Sequence, residues 1–201
     1  MHRVNLLLVA PKISHTRIST RLASMSSTKR TTLEVGQKIQ VTIEKVAHGG
    51  HFIARHESES GKKAVIFVRH AIPGEKVEIE ITSTSSSFIR ADVVQVITPS
   101  PDRVVAPCKF AHRDGCGGCD FQHISASRQR TLKSEVITEQ FARIAKIPIT
   151  VEVEEVDQPL HWRTRVTATT DHNGAIGFYS SRSHRVIAVD ECLIAVPEIG
   201  I

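Results

Sequence analysis

Between Val35 and Ile97 the chain alternates apolar and polar residues in short runs, with no stretch of helical spacing, and this limits its first half to a small all-β unit. Lys38 to Val46 reads as a strand with one buried face. Gly49-Gly50 breaks the run, His51 to Arg55 resumes it, and the polar stretch His56 to Lys63 loops back to Ala64–Val68. Ala71 to Glu75 reads as a turn, with Pro73 and Gly74 in their usual places. Lys76 to Ile81 alternates again, and after the serine turn Ser83 to Ser87 the segment Phe88 to Ile97 closes the set. Five strands in about 65 residues predict a small closed barrel.

Barrels of this size often bind single-stranded nucleic acid through basic and aromatic faces. The bases available here are Arg55, Lys62, Lys63, Arg69, His70 and Arg90. Phe52, Phe67 and Phe88 are expected in the core, because their strand neighbours are apolar. A barrel that serves stability alone, with scattered surface charge, stays open on these residues.

The net charge of +5 suggests a polyanionic partner only if it is spread over the fold. It is concentrated instead in residues 1–33, which hold Arg3, Lys12, Arg17, Arg21, Lys29 and Arg30 and no acid. Taking these six from 26 bases leaves 20 against 21 acids. The basic leader, rich in Ser and Thr, reads as a mis-assigned start upstream of Met25, a disordered arm or a transit peptide. Apolar runs such as Leu6–Ala10 and Val65–Val68 fall far short of the roughly 18 residues a membrane span needs, and Val4–Ala10 lacks a secretory cleavage pattern. The expectation is a cytoplasmic, monomeric protein with no membrane partner.

The segments VTIEKVAHGGHFIAR and VIFVRHAIPGEKVEIEI resemble a TRAM domain, the small RNA-binding barrel fused to several RNA-modifying enzymes. The resemblance implies an OB-like barrel over residues 34–97 with RNA on its surface.

Four cysteines stand at Cys108, Cys116, Cys119 and Cys192. Cys116 and Cys119 can face one metal centre, and Gly115, Gly117 and Gly118 let the backbone bend so that N–H groups point at sulfur. Four thiolates suit an iron–sulfur cluster or structural zinc equally well, while disulfides fit poorly without an export signal. His112 and His123 are candidate extra ligands. The glycines are no phosphate loop, since no strand leads directly into them and no G-x-G-x-x-G or G-x-x-x-x-G-K follows.

The run PCKFAHRDGCGGCDFQH, a helix over about Ser125–Ala145, then HWRTRVTA and DECLIA resemble the central domain of the RNA (uracil-5-)methyltransferases. Many bacterial members of that family carry a [4Fe-4S] cluster on four such cysteines. The resemblance thus implies a cluster on Cys108, Cys116, Cys119 and Cys192, with zinc the alternative. It also places Trp162, Arg163 and Arg165 where the family has an RNA-side aromatic followed by Arg-Asn, although Thr164 here replaces the Asn. Arg182, His184 and Arg185 form a second basic turn. The helix rests on Leu132, Val136, Phe141 and Ile144 at near-helical intervals and ends at Pro148. Strands are expected at Thr150–Val156, Arg163–Thr170 and Ala175–Tyr179, the last two joined by an Asp171–Gly174 hairpin turn.

Methylation of uracil C5 needs a nucleophile, normally a thiolate, to add at C6 and a base to remove the C5 proton, both beside S-adenosylmethionine. If all four cysteines hold metal, none is left to attack. No Gly-rich strand–turn–helix for the cofactor occurs, and the family places that site in a further C-terminal domain. The expected architecture is therefore mainly β with α+β: a five-stranded OB-like TRAM barrel over 34–97, then a small α+β central domain over 98–201 that stops before an S-adenosylmethionine domain. Its expected RNA partner is rRNA or tRNA, with contacts from Arg55, Lys62, Lys63, Arg69, Arg90, Trp162, Arg163 and Arg165. A freestanding RNA-binding module with a structural metal is the alternative.

Overall fold

The computed structural model describes residues 33–57, 61 and 63–200; the basic leader, the choice between Met1 and Met25, and Lys62 lie outside them. Six strands make the first sheet: β1 Lys38–Thr42, β2 Lys45–Ala47, β3 His51–Glu57, β4 Lys63–Arg69, β5 Lys76–Thr84 and β6 Ile89–Thr98. The sixth strand arises because the expected first strand bends in its middle. Ile43 N–H donates to Glu75 O (2.9 Å), while the next residue, Glu44, donates to Ile53 O (2.8 Å). One half of Lys38–Ala47 therefore pairs with β5 and the other with β3.

The sheet order is β1-β5-β6-β4-β3-β2, so its two ends are halves of one continuous segment and the sheet curls into the expected OB-like barrel. The β4–β6 pair is parallel and the others antiparallel. Register shifts along β5–β6 supply the local bends that such curling needs. Inward residues follow the period of two, as with Val77, Ile79 and Ile81 on β5 and Ile66 and Val68 on β4. Phe52 is fully buried. Phe67 and Phe88, expected inside, are only partly covered. Phe67 sits between Ile66 and Val68 and so must point the other way, a register that the unbroken apolar run had hidden.

The helix α1 spans Ala126–Gln140, capped by Ser125, whose Oγ accepts from Arg128 N–H (3.4 Å). A π-helical turn, Phe141–Ala145, continues it, and Lys146 ends it in left-handed backbone, two residues before Pro148. Leu132 and Ile124 join the barrel core, with Val136 packed against it. Phe141 (43% exposed) and Ile144 (69%) do not, because the wider π turn rotates them off the inward face.

A small antiparallel sheet completes the fold: β7 Thr169–Thr170, β8 Ile176–Tyr179 and β9 Val186–Ala188, in the order β7-β8-β9. The Asp171 turn forms as expected, with Asp171 Oδ1 accepting from Asn173 and Ala175 N–H (2.8 and 2.9 Å). The strand expected at Thr150–Val156 does not form, and that at Arg163–Thr170 is reduced to its last two residues plus a bridge from Arg163 to Ala195. Period-two sequence marks a candidate strand, but a strand exists only where a neighbour supplies the ladder. Among the described residues no helix is long and apolar enough to cross a membrane.

Candidate metal and nucleic-acid sites

The loop that carries Cys108, Cys116 and Cys119 is pinned to the barrel by charge. Arg69, 7% exposed, directs Nη2 and Nε to Asp120 Oδ1 (2.8 and 3.2 Å), immediately after Cys119. Gly50, at φ 76°, lies so close that a Cβ there would stand 2.6 Å from the Asp120 carboxylate. A second clamp is the fully buried Glu75, whose carboxylate takes Arg103 Nε (2.6 Å) and Nη2 (2.7 Å) together with Ile72 and Ser100 N–H. Such a pair holds because every lone pair facing the interior is used. Arg113–Glu80 (3.0 Å) and Lys45–Glu139 (2.7 Å) add ties nearer solvent.

All four cysteines line one cavity of about 260 Å³, closed by Phe110, Val166, Phe178 and Ile194 among others. None is in a disulfide. Cys116 bridges to Ser180 of the β8–β9 turn, and Gly117 N–H donates to Tyr179 O (3.0 Å), so tightly that a Cβ on Gly117 would meet Ser181 N at 2.7 Å. Gly118 N–H donates to Cys116 Sγ (3.3 Å), as the glycine spacing anticipates. Gln122 Oε1 accepts from Cys108 N–H (3.1 Å). Lys109 reaches Asp190 Oδ2 (2.5 Å), which ties the neighbour of Cys108 to the residue two before Cys192 and holds that carboxyl below its usual range.

Burial pushes the Cys116 and Cys119 thiols up, and the other cysteines push further in the same direction. Four thiolates here are thus mutually destabilising until a cation joins them, which is the chemistry of a thiolate-ligated metal centre. Among the described residues no three His, Cys, Asp or Glu side chains converge as a single metal ion requires. His123 is no ligand: it is buried against the barrel with Nε2 at 3.0 Å from Ala71 O. His112 does not line the cavity either.

The expected RNA contacts fall into separate places. Arg55 pairs with Glu44 across the barrel surface, and Lys63 lies 3.8 Å from Glu57. Arg69 is taken up by Asp120. Arg90 stacks over the Phe88 ring at 4.2 Å. Trp162 (55% exposed), Arg163 and Arg165 line an open groove with Thr164 and Thr167, and Arg163 also reaches the cysteine cavity. Of the second basic turn, Arg185 is tied to Asp114 O (2.8 Å), while Arg182 projects back onto the barrel. The partial exposure of Phe67 and Phe88 departs from the core placement expected from the sequence; strict period-two counting outward from Ile66 and Val68 finds the first.

A TRAM domain model matches residues 32–94. Over 83% of its length the chain is 42% identical to a protein of Streptomyces coelicolor named an uncharacterized RNA methyltransferase. Over 80% it is 32% identical to a 23S rRNA (uracil(1939)-C(5))-methyltransferase of Shewanella amazonensis. The chain spans 39% and 36% of the length of these relatives. Its fold is also similar to the crystal structure of the Pyrococcus abyssi tRNA (uracil-54, C5)-methyltransferase in complex with S-adenosyl-L-homocysteine, at a TM-score of 0.51 and 18% identity, covering 78% of this chain and 33% of that one.

Proposed function

We propose, from the premise that this chain belongs to the TRAM-bearing RNA methyltransferase family, that residues 33–200 are the RNA-binding and [4Fe-4S]-binding front portion of an S-adenosylmethionine-dependent RNA uracil-C5 methyltransferase. The observation that supports a metal centre is that four thiols, three from one loop and the fourth at Cys192, line a single cavity. The resemblance to the uracil-C5 methyltransferases favours a cluster there over zinc, which four thiolates would also suit. Cys108, Cys116, Cys119 and Cys192 would hold the cluster, with Gly118 N–H donating to the Cys116 sulfur and Gln122 accepting from Cys108 N–H. Bound there, the cluster supplies iron–thiolate bonds that cross-link residues far apart in sequence.

The TRAM barrel supplies the RNA contacts, with rRNA or tRNA as substrate. With all four thiols committed to the cavity, no nucleophile is left for uracil C6. The 201 residues alone therefore transfer no methyl group.

Anaerobic purification followed by iron, sulfide and zinc analysis tests the metal. About four irons per chain is the expected result, and one zinc per chain overturns it. Incubation with labelled S-adenosylmethionine and unmodified RNA tests the division of labour; methyl transfer above background would show that catalytic parts are present.

A further inference from the structure

The β8–β9 turn holds Arg182 in left-handed backbone (φ 54°) and lays it against the outer face of the barrel. There its Nη2 stands 3.4 Å from His51 Nε2. His51 Nδ1 is 2.7 Å from Gly49 O and donates to it, which leaves Nε2 as an acceptor turned to the guanidinium. His51, Phe67, Ser83, Arg90, Asp92 and Arg182 surround a cavity of about 390 Å³. Two of its arginines, Arg90 on β6 and Arg182 in the β8–β9 turn, lie far apart in sequence, and among the described residues no carboxylate lies within ion-pair distance of either.

The rings are ordered around these charges. His51 meets Phe67 edge to face (centroids 6.3 Å), Phe67 meets Phe88 in the same manner (6.0 Å), and Arg90 covers Phe88. Arg90 and Arg182, neither of them ion-paired, outnumber Asp92 on the cavity wall and, beside a half-open phenyl ring, make a site that an anion with an attached flat group would complete. Burial together with the neighbouring Arg90 and Arg69 guanidinium groups presses Arg182 below its usual range, the direction an arriving anion reverses.

We propose that this cavity binds one nucleotide of single-stranded RNA, with its phosphate between Arg90 and Arg182 and its base against Phe67. The assignment rests on the RNA-binding reading above and adds the place where the RNA passes from the barrel to the cysteine-bearing region. Arg90 and Arg182 act as a pair because one phosphate is shared between them.

The test is fluorescence anisotropy with a fluorescein-labelled single-stranded oligouridylate, repeated over a range of salt concentrations on the full 201-residue chain. Arg90→Gln and Arg182→Gln should each weaken binding roughly three- to tenfold and lower the salt slope by about 1. The double variant should lose less than the product of the two. Phe67→Leu should weaken binding with the salt slope unchanged, because it removes stacking and no charge. Lys38→Gln, which removes a charge elsewhere on the barrel, should leave both unchanged. An unaltered melting temperature shows that each variant is folded. If the wild-type chain binds and the Arg variants match it, the cavity assignment is overturned while the RNA reading stands. A wild-type chain that binds no RNA overturns both.

Discussion

The barrel and the cysteine-bearing region are built on different physics. The barrel has a core: from Leu33 to Ala91 its inward residues form one buried cluster around Phe52, Ile66 and Ile79. Residues 99–200 contribute to that cluster only Ile124 and Leu132, both from around the start of α1, and elsewhere bury little besides Ala195. What holds the second region is a set of point attachments: the Glu75 and Arg69 clamps, the glycine contacts under the β8–β9 turn and, on the proposed function, metal ligation by the four cysteines. Burial scales with area and tolerates local loss; attachment fails one point at a time.

The sharpest break of this contrast is Cys116→Ser in the anaerobically purified protein. Ligation in small metal-folded units contributes on the order of 10 kcal/mol, so loss of one thiolate should disorder the second region and spare the barrel. Trp162 is the sole tryptophan, so its fluorescence reports the second region alone. Urea transitions followed by this fluorescence and by barrel-amide hydrogen exchange should separate in the variant; coincident transitions would erase the distinction.

Next in size is Glu75→Ala. It strands the Arg103 guanidinium and leaves the Ile72 and Ser100 N–H groups unpaired, for a cost of about 3 kcal/mol in urea unfolding. Because the clamp joins the two regions, both probes should shift together. A shift in the fluorescence transition alone would make Glu75 part of the second region's own support.

The smallest effect for each step in conditions is a pH slope. His70 is half-buried at the junction, 6.0 Å from the His123 ring, with its buried Nε2 unpaired among the described residues, and burial followed by the Arg69 charge lowers its pKa from 6.5 to about 3. Below pH 6.5 the unfolded chain takes up a proton that the folded chain refuses. Stability is therefore full above 6.5 and falls as the pH drops toward 3, by up to about 1.4 kcal/mol per pH unit. His123, shifted in the same direction by burial, adds to the slope. His70→Asn, which suits the left-handed backbone at φ 62°, should flatten it in urea titrations from pH 7 down to 4.

The same contrast explains what could be read from the sequence. Barrel strands bury one face, so alternation located Val77, Ile79 and Ile81 and the turn at Pro73–Gly74 without help. The bend at Ile43-Glu44 was invisible, because it depends on which neighbour each N–H finds and not on residue type. In the second region the resemblance marked Cys108, Cys116, Cys119 and Cys192 as ligand candidates, and all four line one cavity. Thr150–Val156 misled, since its alternation promised a partner strand that the described residues do not supply. Phe67 was misplaced because a five-residue apolar run conceals its own register.

The split segment Lys38–Ala47 also has a consequence in time. Its first half waits for β5, and β4 waits for β6 across an intervening strand, so the pairings that close the barrel join residues tens of positions apart. Folds dominated by such distant pairings form slowly. On the ribosome the nascent chain can form the β2–β3–β4 meander and then the β1–β5 pair, but these stay unjoined until Ile89–Thr98 has cleared the exit tunnel. The rings of Phe67 and Phe88 therefore come together in the same late step that joins the two parts of the sheet.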